Sequence, residues 1–163
     1  MYRRQLLTAS VAVATGLALA TSAKAQTADE TQASFDTVMA FMGAMGGGDM
    51  ESMGALMADD MVWQNDGDPD LPWIGTWVGK ETILGFLGTF SQNVQVTHWD
   101  NQDAFASGDT VAVFGRMKLL LTGSGAETGE FTFALRAKVR GGQVVLWNWF
   151  EDTYAVSQAF HAT

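Results

Sequence analysis

The sequence predicts an α+β domain in which three helices precede a curved antiparallel β-sheet. Two observations carry that expectation. Apolar residues recur at helical spacing from Ser34 to Phe90, and the period drops to two beyond Val94. Short glycine clusters, Gly123-Ser124-Gly125 and Gly141-Gly142, then separate long alternating runs as hairpin turns would. With 163 residues, 47% of them hydrophobic, the chain suits one domain with one core.

In the first helix, Phe35, Val38, Met39, Met42 and Met45 share a face, and Gly46-Gly47-Gly48 ends it. Asp49 can cap a second short helix with Met50, Met53, Leu56 and Met57 on its apolar side. The methionines crowded between Met39 and Met61 fit the faces of these two helices, and flexible core packing accounts for them. A thioether copper(I) site is the alternative. Met61-Val62-Trp63 reads as a brief strand. Gln64 to Thr76 is loop-like, punctuated by Gly67, Pro69 and Pro72, yet Trp73 and Ile74 should fold back over apolar surface. Gly79 precedes a third helix, Lys80 to Phe90, with Ile83, Phe86, Leu87 and Phe90 on its buried stripe.

Three long strands follow: Thr110 to Leu121, Glu127 to Arg140, and Gln143 to Asp152. Such lengths require curvature, which bulges and glycines such as Gly115 accommodate. Helices must cover one face of the sheet, and a bent sheet covered on its concave side leaves a conical cavity.

Residues 1–25 are expected to be a cleavable export signal: Arg3-Arg4, an apolar run, then Ala23-Lys24-Ala25 before Gln26. The arginine pair followed by Leu6-Leu7 resembles a twin-arginine signal, with ordinary secretion as the other route. No stable membrane anchor should remain after cleavage, and the expected location is the periplasm or the exterior. Residues 26–33 are expected to be a flexible lead-in and 34–163 the domain.

Composition narrows the chemistry. The chain has no cysteine and two histidines, His98 and His161, so thiolate catalysis, disulfides and a multi-histidine zinc site are excluded. The formal charge is -9. Loss of Arg3, Arg4 and Lys24 leaves six cations against 18 acids, so nucleic acid is not an expected partner. No glycine-rich phosphate motif is present.

Three segments together resemble the NTF2-like superfamily, and within it the SnoaL-like group of polyketide cyclases and ketosteroid isomerase relatives. They are MADDMVWQNDGDP (57–69), GTWVGKETILGFL (75–87), and ASGDTVAVFGR (106–116) with the later GGQVVLWNWFEDTYAV. The resemblance covers Ser34 to Phe160. It implies an NTF2-like cone, a curved sheet packed against three N-terminal helices. It also implies a small-molecule pocket, acid/base chemistry that needs no organic cofactor, and pairing into homodimers.

In SnoaL-like cyclases an acid at the end of the last strand is the general acid/base, and the resemblance puts Asp152 there. Strand alternation agrees, setting Asp152 on a mostly apolar face with Val144, Leu146, Asn148 and Phe150. Burial would raise its pKa towards the useful range. Alternatively, Asp152 caps the segment Thr153 to Phe160. His98 is a second proton-transfer candidate. Asn148 could donate to a ligand oxygen. Arg116, on a face with Phe114, could bind an anionic oxygen or instead face solvent. Trp63, Asn65, Trp73 and Phe114 are the remaining pocket candidates, since six tryptophans exceed the needs of a small core.

Two specific chemistries fit poorly. Asn65 stands where similar ketosteroid isomerases carry an aspartate base, and Asp66 and Asp68 read as turn formers. Arg116-Met117-Lys118 lacks the aspartate of the Arg-x-Asp element used by limonene-type epoxide hydrolases. The expected function is an exported, hydrophobic-pocket isomerase or cyclase acting on a carbonyl compound, or a non-catalytic binding or scaffold domain with the same pocket. A homodimer is expected because the sheet face away from the cavity must be covered.

Overall fold

A computed structural model describes residues 12–162, with side chains from Thr27 onward. These residues form α1 (Ala12–Gly47), α2 (Met50–Ala55), β1 (Met57–Asn65), β2 (Gly75–Val78), α3 (Lys80–Asn93), β3 (Val94–Ser107), β4 (Thr110–Leu121), β5 (Phe131–Arg140), β6 (Gln143–Glu151) and α4 (Thr153–Phe160). The strands make one six-stranded sheet in the order β2-β1-β6-β5-β4-β3. The result is the expected α+β architecture with two departures. β1 and β6 pair in parallel, whereas every other neighbouring pair is antiparallel. A fourth helix, α4, joins the three that precede the long strands.

Register shifts mark where the sheet bends: between Val96 and His98 and between Asn101 and Asp103 in β3, and opposite Lys138/Val139 on β6. An extra residue on one strand of a pair increases local twist. The last shift also breaks the alternation of β6. Val144 is buried, and beyond it Trp147 and Trp149 point into the core while Leu146 and Phe150 point outward.

The helices close the concave side. Val38, Phe41 and Met42 of α1, Met53 of α2, and Ile83 and Phe86 of α3 join Trp63, Leu135 and Trp147 of the sheet in one cluster. Asp49 caps α2 by accepting from the Ser52 N–H at 3.0 Å. Gly79 enters α3 at φ 90°, a conformation that favours glycine.

Residues 26–33, expected to be a flexible lead-in, belong to α1. Thr31 Oγ1 accepts from Gly108 N at 3.0 Å in the β3–β4 turn, and Ser34 is buried. Helical spacing therefore extends upstream of Ser34. Arg3-Arg4 lies outside the described residues, and no side chain of the expected export segment is described. Among the described residues, no helix is long and apolar enough to cross a membrane.

α4 is pinned by its own side chains. Val156 and Ala159 are buried, and Ser157 Oγ donates to Asp68 Oδ2 in the loop before β2. Asp68 Oδ1 accepts from Asp70 N at 3.0 Å, the turn role expected of it.

Candidate functional site

Between the concave face and the helices lies a cavity of about 750 Å³. Trp63, Trp73, Trp99, Trp147 and Trp149 line it with Phe86 and Phe90, and Met39, Met42, Met45, Met50 and Met53 form the side near α1 and α2. Gly43 and Gly46 also face it, with no atom within 4 Å of where a Cβ would stand. Bare helix backbone therefore borders the mouth. The polar lining includes Asn65, Ser91, Thr97, His98, Asn101 and Glu151.

The aromatic side chains at the cavity pack in two groups. Trp63 stacks on Trp147 with centroids 5.3 Å apart. Phe133 stacks on Trp149 at 4.7 Å, and Trp99 lies 4.7 Å from Phe133 and 5.6 Å from Trp149. β3 and β6 are separated by two strands, so this contact between their tryptophans records how strongly the sheet curls. Trp73 meets Phe90 and Phe160 edge-on, so the proline-bounded loop folds back over the core as its composition predicted.

A repeated local arrangement sets the polar groups. On β1, the Trp63 indole N–H donates to Asn65 Oδ1 at 2.9 Å. On β3, Trp99 donates to Asn101 Oδ1 at 2.8 Å. On β6, Trp149 donates to Glu151 Oε2 at 2.8 Å. Residues two apart on a strand share a face, so each indole reaches the side chain beside it. Asn65 is further held by donation from Nδ2 to the Trp73 carbonyl oxygen at 3.1 Å, which ties the loop to β1.

Glu151 is the carboxyl of the pocket. Burial pushes it up from the ordinary 4.5; the Trp149 hydrogen bond opposes that rise, and the neighbouring Asp152 charge adds to it. Asp152 itself was the expected acid and is not in the lining. It is exposed and caps α4, its Oδ1 accepting from Ala155 N at 3.2 Å. Alternation along β6 separates Glu151 from Asp152 correctly, but the face holding Trp147, Trp149 and Glu151 is the one the helices cover.

The other expected residues divide in the same way. Trp63, Asn65 and Trp73 line the cavity, and His98 sits at its edge, half exposed, with Nε2 3.9 Å from Glu130 Oε2. Arg116 and Phe114 occupy the outer face of β4. Arg116 donates to Glu130 Oε1 at 2.6 Å, and Phe114 is exposed beside Phe105. Asn148 lies between Gln64 and Arg136 on the outer face and is buried, with no hydrogen-bond partner for Nδ2 among the described residues. Sequence reasoning missed Glu151, Asn101 and Trp99. The Trp-x-Asn and Trp-x-Glu spacing on alternating strands was the available signal.

Comparison with known proteins agrees with this fold. An NTF2-like protein from Burkholderia xenovorans superposes with a TM-score of 0.74 at 26% identity, covering 80% of this chain and 98% of its own. An LEH-like epoxide hydrolase from M. tuberculosis gives 0.64 at 21% identity, covering 80% and 91%. A protein with a ketosteroid isomerase-like fold from Catenulispora acidiphila, in complex with trimethylamine, gives 0.63 at 19%, covering 78% and 93%. No curated protein sequence matches the chain significantly. The SnoaL-like domain family matches residues 38–147, and the chain belongs to that family.

Proposed function

We propose that this chain is an exported small-molecule protein whose pocket takes a hydrophobic, ring-bearing carbonyl compound and whose Glu151 exchanges a proton with it. The observation that carries the reading is the position of Glu151: a carboxyl with a raised pKa, at the end of the last strand, in a tryptophan-lined cavity. A carboxylate of raised pKa is a stronger base when ionised and keeps its proton closer to neutrality when acting as an acid. Proton transfer at the carbon α to a carbonyl takes a carboxylate base and a hydrogen-bond donor for the developing enolate oxygen, so the proposed step calls for no organic cofactor.

The test is deuterium exchange into the methyl group of 2-acetylnaphthalene in D2O, followed by proton NMR. The protein should accelerate exchange and Glu151→Gln should remove about 10²- to 10⁴-fold of that acceleration. Binding without exchange would leave the non-catalytic binding reading. That second reading draws on one observation: among the described residues, only Trp149 hydrogen-bonds the Glu151 side chain, and it is not a proton-transfer partner.

Export is supported by Arg3-Arg4, the apolar run after it and Ala23-Lys24-Ala25. Residues 27–30 are exposed, and Ser34 is the first buried side chain among the described residues. A mature chain starting at Gln26 in the periplasmic fraction, read by mass spectrometry, is the expected result.

The homodimer is proposed on new grounds. Trp147 and Trp149 face the cavity, so they need no second copy to cover them. The opposite face instead exposes Phe105, Phe114 and Phe150, each more than 40% accessible. Clustered exposed aromatic side chains favour association.

A further inference from the structure

Glu151 has a counterpart across the sheet. Asn101 pairs with Gly115, Gly115 with Phe133, and Phe133 with Glu151. The four residues form one row across β3, β4, β5 and β6, and both ends of that row line the cavity. Gly115 has no side chain to fill the middle. Phe133 lies over it, within the stack it forms with Trp99 and Trp149. The row is thus polar at each end, and the buried Phe133 ring fills its middle beneath Trp99 and Trp149.

The orientation of the Asn101 amide follows from chemistry. An indole N–H can only donate, so the atom it reaches must be the amide oxygen. Trp99 occupies Oδ1 at 2.8 Å, which leaves the Nδ2 hydrogens as the amide's offer to the pocket. Asn101 is exposed at the edge of the cavity, and among the described residues Nδ2 has no partner. At the other end, Trp149 occupies Glu151 Oε2, so Oε1 is the oxygen left for a ligand. Each tryptophan fixes one atom of its neighbour and frees the other.

We propose that Asn101 is a ligand-binding residue and the second polar pole of the pocket, so that the protein selects flat, aromatic molecules carrying hydrogen-bond acceptor oxygens at two opposite ends. One oxygen accepts from the Oε1–H of protonated Glu151 and the other accepts from Asn101 Nδ2. Three interstrand intervals separate the two backbone positions along the sheet, and the curl that brings Trp99 within 5.6 Å of Trp149 draws their side chains towards each other. A two-ring core with an acyl group at each end presents an oxygen to each. This inference rests on the reading that the pocket takes a carbonyl ligand at Glu151.

Two probes separate the possibilities by calorimetry on the intact protein: 2,6-diacetylnaphthalene, with acceptors at both ends, and 2-acetylnaphthalene, with one. The wild type should bind the first about tenfold more tightly, the worth of one added hydrogen bond. Asn101→Asp keeps an oxygen for Trp99 but removes the donor, and should bring the two affinities together. Asn101→Leu is a second variant expected to do the same. Equal affinities in the wild type, or a tenfold preference that survives in either folded variant, overturn the assignment while the pocket reading stands. A wild type that binds neither probe overturns both.

Discussion

The indole N–H of Trp149 donates to Oε2 of Glu151 across 2.8 Å, so the core side of the last strand carries both the carboxyl and the group that restrains its pKa. Burial raises the Glu151 pKa, and the Trp149 bond acts against it by favouring the charged form. Trp149→Phe keeps a ring for Phe133 to stack on and removes the N–H together with one ring of the indole. The carboxyl should then titrate at higher pH than in the wild type, and any activity that depends on ionised Glu151 should shift its pH profile upward. Carbon-detected NMR titration of labelled glutamate reads the first effect directly. An unchanged titration would show that the bond does not set the proton affinity.

Glu151 also makes stability depend on pH in a defined direction. Its folded-state pKa lies above the ordinary 4.5, so the folded protein holds that proton more tightly than the unfolded chain does. Below about pH 4.5 the group is protonated in both states and costs nothing. As pH rises from there to the folded value, stability is lost, and the loss is complete above it. Glu151→Gln removes this dependence and preserves an acceptor for Trp149. The midpoint of thermal unfolding of Glu151→Gln should therefore gain on the wild type as pH is raised from 4 to 8. Parallel curves over that range would contradict the burial of this carboxyl.

Asp152 has a different task one residue away. Its Oδ1 accepts from Ala155 N and satisfies one of the free donors at the start of α4. Asp152→Ala should cost about 1 kcal/mol of stability, measured by urea denaturation, and Asp152→Ser should recover much of it. Ligand affinity should change little in either variant. A large loss of binding in Asp152→Ser, with stability retained, would return Asp152 to the site.

Strand alternation explains why these two acids were assigned in reverse. A period of two sorts β6 into two sets, but it does not say which set the helices cover. That choice depends on how α1, α2 and α3 dock, and no local pattern encodes it. The bulk of Trp147 and Trp149 was a usable hint, because two indoles on one face need a covering layer. Phe114, Arg116 and Asn148 were placed in the pocket by the same inversion, whereas Trp63 and Trp73 were legible from apolar character beside loop residues. The start of α3, both ends of β4, the Asp49 cap and the Gly79 entry were readable because each rests on local chemistry, whereas α3 runs three residues past the expected Phe90 to Asn93. β2 and the parallel β1–β6 pair were not, since Gly75 to Val78 becomes a strand only by pairing with Val62 to Asn65. The start of α1 was set too late because exposed residues upstream of Ser34 add no apolar period, although Thr31 docks on Gly108.

Gly115 is where close packing can be tested. A Cβ there would collide with the Asp100 carbonyl oxygen and with the Phe133 ring. Backbone cannot step aside as a flexible side chain can, so Gly115→Ala should cost about 1–3 kcal/mol and loosen the β3–β4 pairing. Because Phe133 carries the stack shared by Trp99 and Trp149, the near-ultraviolet circular dichroism of those indoles should weaken as well. Wild-type stability and an unchanged spectrum would mean that the ring and strand have room that the geometry denies them.

The outer face offers the last test, through association. Phe150 pairs across Ala134 to Phe114, and Phe114 packs beside Phe105, so the exposed aromatic side chains lie on adjoining rows of the sheet. The small side chains of Ala112 and Ala134 leave the surface between them low. A second copy laid on this face would remove the three phenylalanines from water, and because each is already about half covered the gain is on the order of 1 kcal/mol apiece. Phe114→Glu puts a charge at the centre of the contact, where desolvation opposes association. It should convert a dimer to a monomer in sedimentation velocity while leaving the cavity, on the other side of the sheet, able to bind 2-acetylnaphthalene. A wild type that sediments as a monomer at high micromolar concentration would remove the homodimer proposal, and a dimer insensitive to Phe114→Glu would move the contact elsewhere.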